Sequence, residues 1–217
     1  QSASQLSKDG AVLKINFDKG SFKYIYSNFS NCSWILVDSM IKRELASSKY
    51  HERVEECRRA LSTLSQKLNR DISFRDISNN EVSLLAKSDP TLSDRIKHLL
   101  EENERVNQME IAISNNNPEQ IGKLLNDSHD SLRDLYEISC KEIDYLILIS
   151  SEFKYWYGGR IMGGGFGGNT INPPPLYSPN QVTENQKETG KHENLVNKPV
   201  SCPNGPIRVA EKNVEFE

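Results

Sequence analysis

The sequence lacks any apolar run that approaches the roughly 18 residues of a membrane span, and its first ten residues contain no apolar signal core. It also lacks a basic excess, because it contains 27 Lys and Arg residues but 30 Asp and Glu residues. Binding to the phosphate backbone of a nucleic acid is therefore not expected. Its four cysteines are widely spaced, without a Cys-x-x-Cys pair that could hold zinc. These absences predict a cytoplasmic protein with reduced thiols, no metal site, and neither a nucleic acid nor a membrane as a partner.

Alternating apolar residues, typical of β-strands, occur in AVLKINF, FKYIY and SWILVDS near the start of the chain. From Tyr50 to Leu68 the period changes to three or four residues, which predicts an amphipathic helix with a charged outer face. Asp89 before Pro90, and Asn117 before Pro118, predict the starts of two further helices, the first of them long. Strands therefore come first and helices after, as in an α+β fold.

Four residues between 129 and 142 invite a local interpretation. Ser139 and Glu142 have the spacing of a capping box ahead of an apolar helix. His129 has no nearby Cys or carboxylate pattern typical of a metal site or catalytic triad, so we expect a hydrogen-bonded structural histidine. Cys140 lies at a predicted helix start, where a thiol pKa can fall, but a small packed residue is the more common outcome.

The most distinctive segment is a glycine run with one phenylalanine, and it predicts a phosphate-proximal loop: Gly163, Gly164, Gly165, Phe166, Gly167 and Gly168. Glycines lose much backbone entropy on ordering, and a phosphate bound by successive amide donors would compensate for that loss. GGRIM and NTIN on either side suit two short strands. A Rossmann site needs a helix directly after the run and a Walker A loop needs Lys-Ser or Lys-Thr, and neither follows here. A flexible linker remains the alternative.

The segment GGRIMGGGFGGNTI is similar to the third conserved motif of galactokinases, which belong to the GHMP kinase superfamily. LNDSHDSLRDLYEISCKEIDYL resembles the helical segment before that motif, and we expect structural roles for its residues, including Ser128, His129, Leu132, Arg133, Tyr136, Glu137 and Cys140. IKRELASSKYHERVEEC looks like the segment that carries a sugar-contacting tyrosine, which falls on Tyr50. Without this resemblance, Tyr50 would be an ordinary surface tyrosine at a helix start.

The resemblance covers residues 1 to about 172 and implies a GHMP-kinase-like α+β fold that corresponds to the C-terminal part of a galactokinase. Residues 1–48 would supply strands that complete the N-terminal sheet domain. Residues 49–172 would form a helical region and an incomplete ferredoxin-like C-terminal domain around the glycine-rich motif. Residues 173–217 open with three prolines and show no sustained period, so we expect a divergent, weakly structured tail.

For an intact family member the resemblance implies ATP-dependent phosphorylation of galactose to galactose 1-phosphate, with Mg²⁺, in a cytoplasmic enzyme that is monomeric when complete. Two family signatures, a Gly-Glu-His and a Gly-Leu-Ser-Ser-Ser phosphate loop, do not occur in this sequence. The catalytic aspartate of the family lies in a Met-Asp-Gln whose glutamine corresponds to Gln1, so no catalytic residue is assigned here. We therefore expect little or no turnover from these 217 residues alone.

Three alternatives to a galactokinase remain open at this point. A non-catalytic sugar sensor could keep Tyr50 and the glycine run while regulating a partner. An N-acetylgalactosamine kinase would differ mainly in residues near the second carbon of the sugar, which lie largely in the half that is not represented here. A gene fragment without function is the third alternative.

Overall fold

The computed structural model describes residues 6–26, 34–41, 46–153, 156–173, 200–202 and 205–210. Within these ranges the helices are α1 Ala46–Leu68, α2 Asn79–Ala86, α3 Pro90–Ser114, α4 Pro118–Asp134 and α5 Lys141–Ser150, with a 3-10 turn at Phe74–Asp76. The strands are β1 Ala11–Asn16, β2 Ser21–Tyr26, β3 Ile35–Asp38, β4 Arg160–Ile161, β5 Asn169–Asn172, β6 Val200–Cys202 and β7 Gly205–Ala210. The predicted α+β class and the three N-terminal strands are confirmed. No helix in this part of the chain is long and apolar enough to cross a membrane.

The strands form two antiparallel sheets. β1 and β2 form a hairpin in which Val12 pairs with Ile25, whereas the larger sheet has the order β4-β5-β3-β7-β6. β3 lies at its centre, with Val37 opposite Thr170 of β5. The sheet thus joins β3, which precedes the expected domain boundary at residue 48, to strands from the far end of the chain. Two of those strands, β6 and β7, fall within 173–217, where weak structure was expected; the division into domains stays a prediction.

Helix starts follow the local sequence closely, with one exception. The side chain of Asp89 accepts a hydrogen bond from the N–H of Leu92, and Asn117 caps α4 in the same way, so both predicted caps are confirmed. The predicted capping box at α5 is wrong. Its N-cap is Cys140, and the Ser139 hydroxyl instead donates to Asp144 at 2.5 Å, one turn into the helix.

Three buried clusters hold these elements together. One lies among α1, α2 and α3 and consists of Ala60, Leu64, Ile72, Ile77, Leu85, Leu92 and Ile96. A second joins the β1–β2 hairpin to α3 and α4 through Ile25, Ala112, Ile113, Ile121, Leu124 and Leu125. The third packs α4 and α5 against the larger sheet through Val37, Leu132, Ile138, Ile143, Leu146 and Ile161, and Phe166 of the glycine run packs on it.

Candidate functional site

The glycine run is the connection between β4 and β5, which form the predicted pair of short strands. At its base the N–H of Met162 donates to the carbonyl of Asn169 at 2.8 Å. At its tip the N–H of Phe166 donates to the carbonyl of Ile138 at 2.7 Å, and Gly168 exchanges two backbone hydrogen bonds with residues 39 and 41. A loop tied on three sides is an ordered feature, which the linker alternative does not explain.

Two of the glycines are required by close backbone contacts. Gly165 has φ +85°, and a Cβ there would overlap the carbonyl oxygen of Ile138. Gly167 has φ +122°, and a Cβ there would lie 2.8 Å from the carbonyl oxygen of Ile41. A Cβ at Gly164 would meet nothing within 4 Å. The run is therefore pressed onto its supports at positions 165 and 167 and open at position 164.

The open side of the loop carries unused hydrogen-bond donors. Among the described residues, no hydrogen bond occupies the N–H groups of Gly163, Gly164 or Gly165. Gly163 and Gly165 both have positive φ, at 73° and 85°, which alternates with the φ of Gly164, which is not positive. Successive amides in such alternating conformations form a concave donor surface that suits an anionic oxygen.

The helix that carries the predicted sugar-contact residue touches this loop. Tyr50 is in the second turn of α1 and is half-exposed, and its hydroxyl has no hydrogen-bond partner within the described residues. Its neighbour Lys49 places Nζ 4.9 Å from the centroid of the Phe166 ring, within the range of a cation–π contact. The start of α1 and the glycine run, which are more than a hundred residues apart in sequence, therefore form one surface.

A buried ionic network supports that surface from behind. Glu56 of α1 accepts hydrogen bonds from Arg53 and from Nε of Arg95, the latter at 2.7 Å, and all three residues are buried. Arg95 also donates to Glu137 at 2.8 Å and to the carbonyl of Leu135. Burial by itself would raise the pKa of Glu56, but the hydrogen bonds from the two arginines outweigh it and hold that pKa below its usual value. Glu56 is therefore charged at neutral pH.

Sequence reasoning missed this network, because it placed the charges of α1 on the outer face. Arg53 and Glu56 are three residues apart and flank Val54 and Cys57 of the apolar stripe. Opposite charges at that spacing beside an apolar stripe are the one local signal that could have indicated a buried pair.

A second polar cluster anchors β4, the strand that leads into the glycine run. Arg160 donates to Glu102 of α3 at 3.2 Å and to the Ser128 hydroxyl of α4 at 2.8 Å. The Ser128 hydroxyl in turn donates to Glu102, which also accepts from Arg105. The base of the loop is thus tied to the interface between α3 and α4, which agrees with the structural role expected for Ser128.

A stacked aromatic pair, buried at His98 and partly buried at Tyr136, continues the polar α3–α4 interface. Nδ1 of His98 lies 2.8 Å from the Ser131 hydroxyl, and its ring stacks on Tyr136 at a centroid distance of 4.5 Å. Burial lowers the pKa of His98 to about 4, so this imidazole is neutral at physiological pH. Burial likewise raises the pKa of the Tyr136 hydroxyl.

His129 is buried in α4, as a structural histidine should be, and its Nε2 lies 3.2 Å from Oδ1 of Asp144. Burial would raise the pKa of Asp144, but the interactions with His129 and Ser139 outweigh it and lower that pKa. The Nδ1 atom of His129 has no hydrogen-bond partner within the described residues. Burial raises the pKa of the Cys140 thiol, which suits the expected packed residue. In the described part of the chain, no three His, Cys, Asp or Glu side chains are grouped so as to hold a metal ion.

Comparisons with known proteins identify the architecture. No family model matches the chain. A structure described as Lactococcus lactis galactokinase complexed with galactose aligns with 82% of this chain and 45% of its own, with a TM-score of 0.69 and 28% identity. The α+β fold is that of a GHMP kinase.

Curated relatives then define the family. A galactokinase of Thermosipho africanus is 37% identical over 171 residues, which are 79% of this chain and 47% of the relative. A galactokinase of Thermotoga petrophila is 41% identical over 150 residues, or 69% of this chain and 41% of the relative. The chain belongs to the galactokinase family, a family of sugar kinases. It spans less than half the length of these two relatives.

Proposed function

We propose that the protein to which this chain belongs transfers a phosphoryl group from ATP to the anomeric hydroxyl of galactose, releasing ADP. The observation that carries this proposal is the contact between Lys49 and Phe166, which brings the start of the Tyr50 helix against the glycine run. Both segments resemble galactokinase segments in sequence, and the Lactococcus lactis relative, whose structure aligns with 82% of this chain, is described in complex with galactose. For the complete protein we also propose a cytoplasmic location and a monomeric state.

Two groups of the chain can contact substrates. The Tyr50 hydroxyl can donate to and accept from a hexose hydroxyl, and it is exposed and free among the described residues. The open amides of Gly163, Gly164 and Gly165 can donate to phosphate oxygens, whose negative charge strengthens such bonds. These contacts position the two substrates, and positioning is a large part of catalysis in phosphoryl transfer.

Other parts of the reaction are not assigned to this chain. The family uses Mg²⁺ with ATP, but the described residues do not form a cluster that fits a metal ion, so no step through Mg²⁺ is derived from them. The aspartate base of the family precedes the position of Gln1. We therefore propose that the 217-residue polypeptide alone shows no galactose-dependent release of ADP in a coupled assay, and measurable turnover would contradict this.

The kinase function is tested in a chimera in which residues 1–172 replace the matching region of the Thermotoga petrophila galactokinase. We expect galactose-dependent release of ADP. Tyr50→Phe should raise the KM for galactose about fivefold, the effect of one lost hydrogen bond. Tyr26→Phe, at an exposed tyrosine of the β1–β2 hairpin, is the matched control and should leave the KM unchanged. A folded chimera without activity would contradict the proposal.

A further inference from the structure

Arg95 of α3 is unusually buried for a charged side chain, with only 1% of its surface exposed. Its three nitrogen atoms each donate to a different group, namely the Glu56 carboxylate, the Leu135 carbonyl and the Glu137 carboxylate. A planar guanidinium makes such bonds in fixed directions, so the three acceptors are held at fixed relative positions.

Burial of this kind is costly, and stability alone does not account for it. Removing a guanidinium and a carboxylate from water costs several kcal/mol each, and a buried ion pair is often no more stabilising than well-packed apolar residues. The geometry that Arg95 imposes is thus the property that an apolar residue of similar volume could not supply.

One side of this arrangement supports the glycine run. Leu135 and Glu137 belong to the turn between α4 and α5, where Glu137 has the strained φ of 53°. The next residue, Ile138, accepts the hydrogen bond from the N–H of Phe166, and its carbonyl oxygen is the group against which Gly165 is pressed. The position of the turn therefore determines the position of the loop tip.

The other side supports the start of α1. Glu56 follows Tyr50 by six residues, a rise of about 9 Å along the helix. Arg53, between them, also donates to Glu56. The guanidinium of Arg95 thus connects the helix that carries Tyr50 to the turn that carries the loop.

We propose that Arg95 is a positioning residue, which sets the glycine loop relative to the start of α1 by holding Glu56 and the Leu135–Glu137 turn together. Its consequence for catalysis rests on the proposed kinase function, because Tyr50 and the loop amides are the groups assigned to sugar and phosphate. The geometric part does not depend on that function and can be measured without a substrate.

The test is amide hydrogen exchange of the 217-residue chain by NMR, comparing Phe166 with Leu125 in the interior of α4. In Arg95→Met, we expect exchange of Phe166 to accelerate about tenfold more than exchange of Leu125, because the loop loosens locally before the chain unfolds. Arg133→Met is the matched control, since Arg133 pairs with exposed Asp130 and Asp134 and touches neither support. It should not change the ratio of the two rates.

If Arg95→Met does not fold, Arg95→Lys makes the same test, because an ammonium group keeps the charge beside Glu56 but cannot hold the three acceptors in the fixed directions of a guanidinium. Selective acceleration at Phe166 in either variant supports the proposal. Equal acceleration at Phe166 and Leu125, or none at Phe166, overturns it. Absence of kinase activity in the chimera would bear only on the proposed function.

Discussion

The substitution Gly165→Ala tests whether the glycine run is held by the contacts described above. An L-residue at φ +85° costs about 1–2 kcal/mol. The new Cβ would also overlap the carbonyl oxygen of Ile138, so the loop must move and weaken the Phe166 hydrogen bond, which is worth about 1 kcal/mol. Together these effects lower the free energy of unfolding by about 3 kcal/mol.

Urea unfolding followed by circular dichroism measures this loss. With an m-value of about 2 kcal/mol/M, the midpoint should fall by about 1.5 M. Gly164→Ala is the matched control, because its φ is not positive and an added Cβ meets open space. It should change stability by less than about 0.5 kcal/mol. An equal loss of stability in Gly165→Ala and Gly164→Ala would refute the explanation, because the contact with Ile138 would then make no difference.

Two further predictions concern buried polar side chains. Burial lowers the pKa of folded His98 to about 4, whereas the pKa of an unfolded histidine is 6.5. Between these two pH values the unfolded chain binds a proton that the folded chain does not. The free energy of unfolding therefore falls as the pH falls, by up to about 3 kcal/mol. In His98→Asn, this fall should be missing from urea midpoints measured between pH 7 and 4. The control His51→Asn, at an exposed position, should keep the fall. A pH dependence of the midpoint in His98→Asn equal to that of the parent chain would contradict the prediction. Asn172→Ala should cost about 1–3 kcal/mol, because it leaves Nε1 of Trp156 and the carbonyl of Ile35 without Asn172 as a partner. A urea midpoint equal to that of the parent chain would contradict that role for Asn172.

Much of the secondary structure could be predicted because its causes are local. Asp89 and Asn117 cap their helices with their own side chains, and each is followed by a proline that suits the first helical position. The short strands around the glycine run follow from residues that favour extended backbone. The failed capping box at Ser139 shows the limit of such signals. Its hydroxyl had a second acceptor, Asp144, that the spacing rule does not consider.

The arrangement of the candidate site depends on contacts that no local pattern contains. Glu56 is buried because Arg95 reaches it from a position 39 residues away, and without that partner the sequence pattern correctly favours a solvent-facing charge. The glycine run likewise needs Ile138 and Ile41 as supports before its conformation is determined. The same glycines without those supports would suit a flexible linker, which is why composition alone left that alternative open. The distinction between linker and loop is therefore made by the supports.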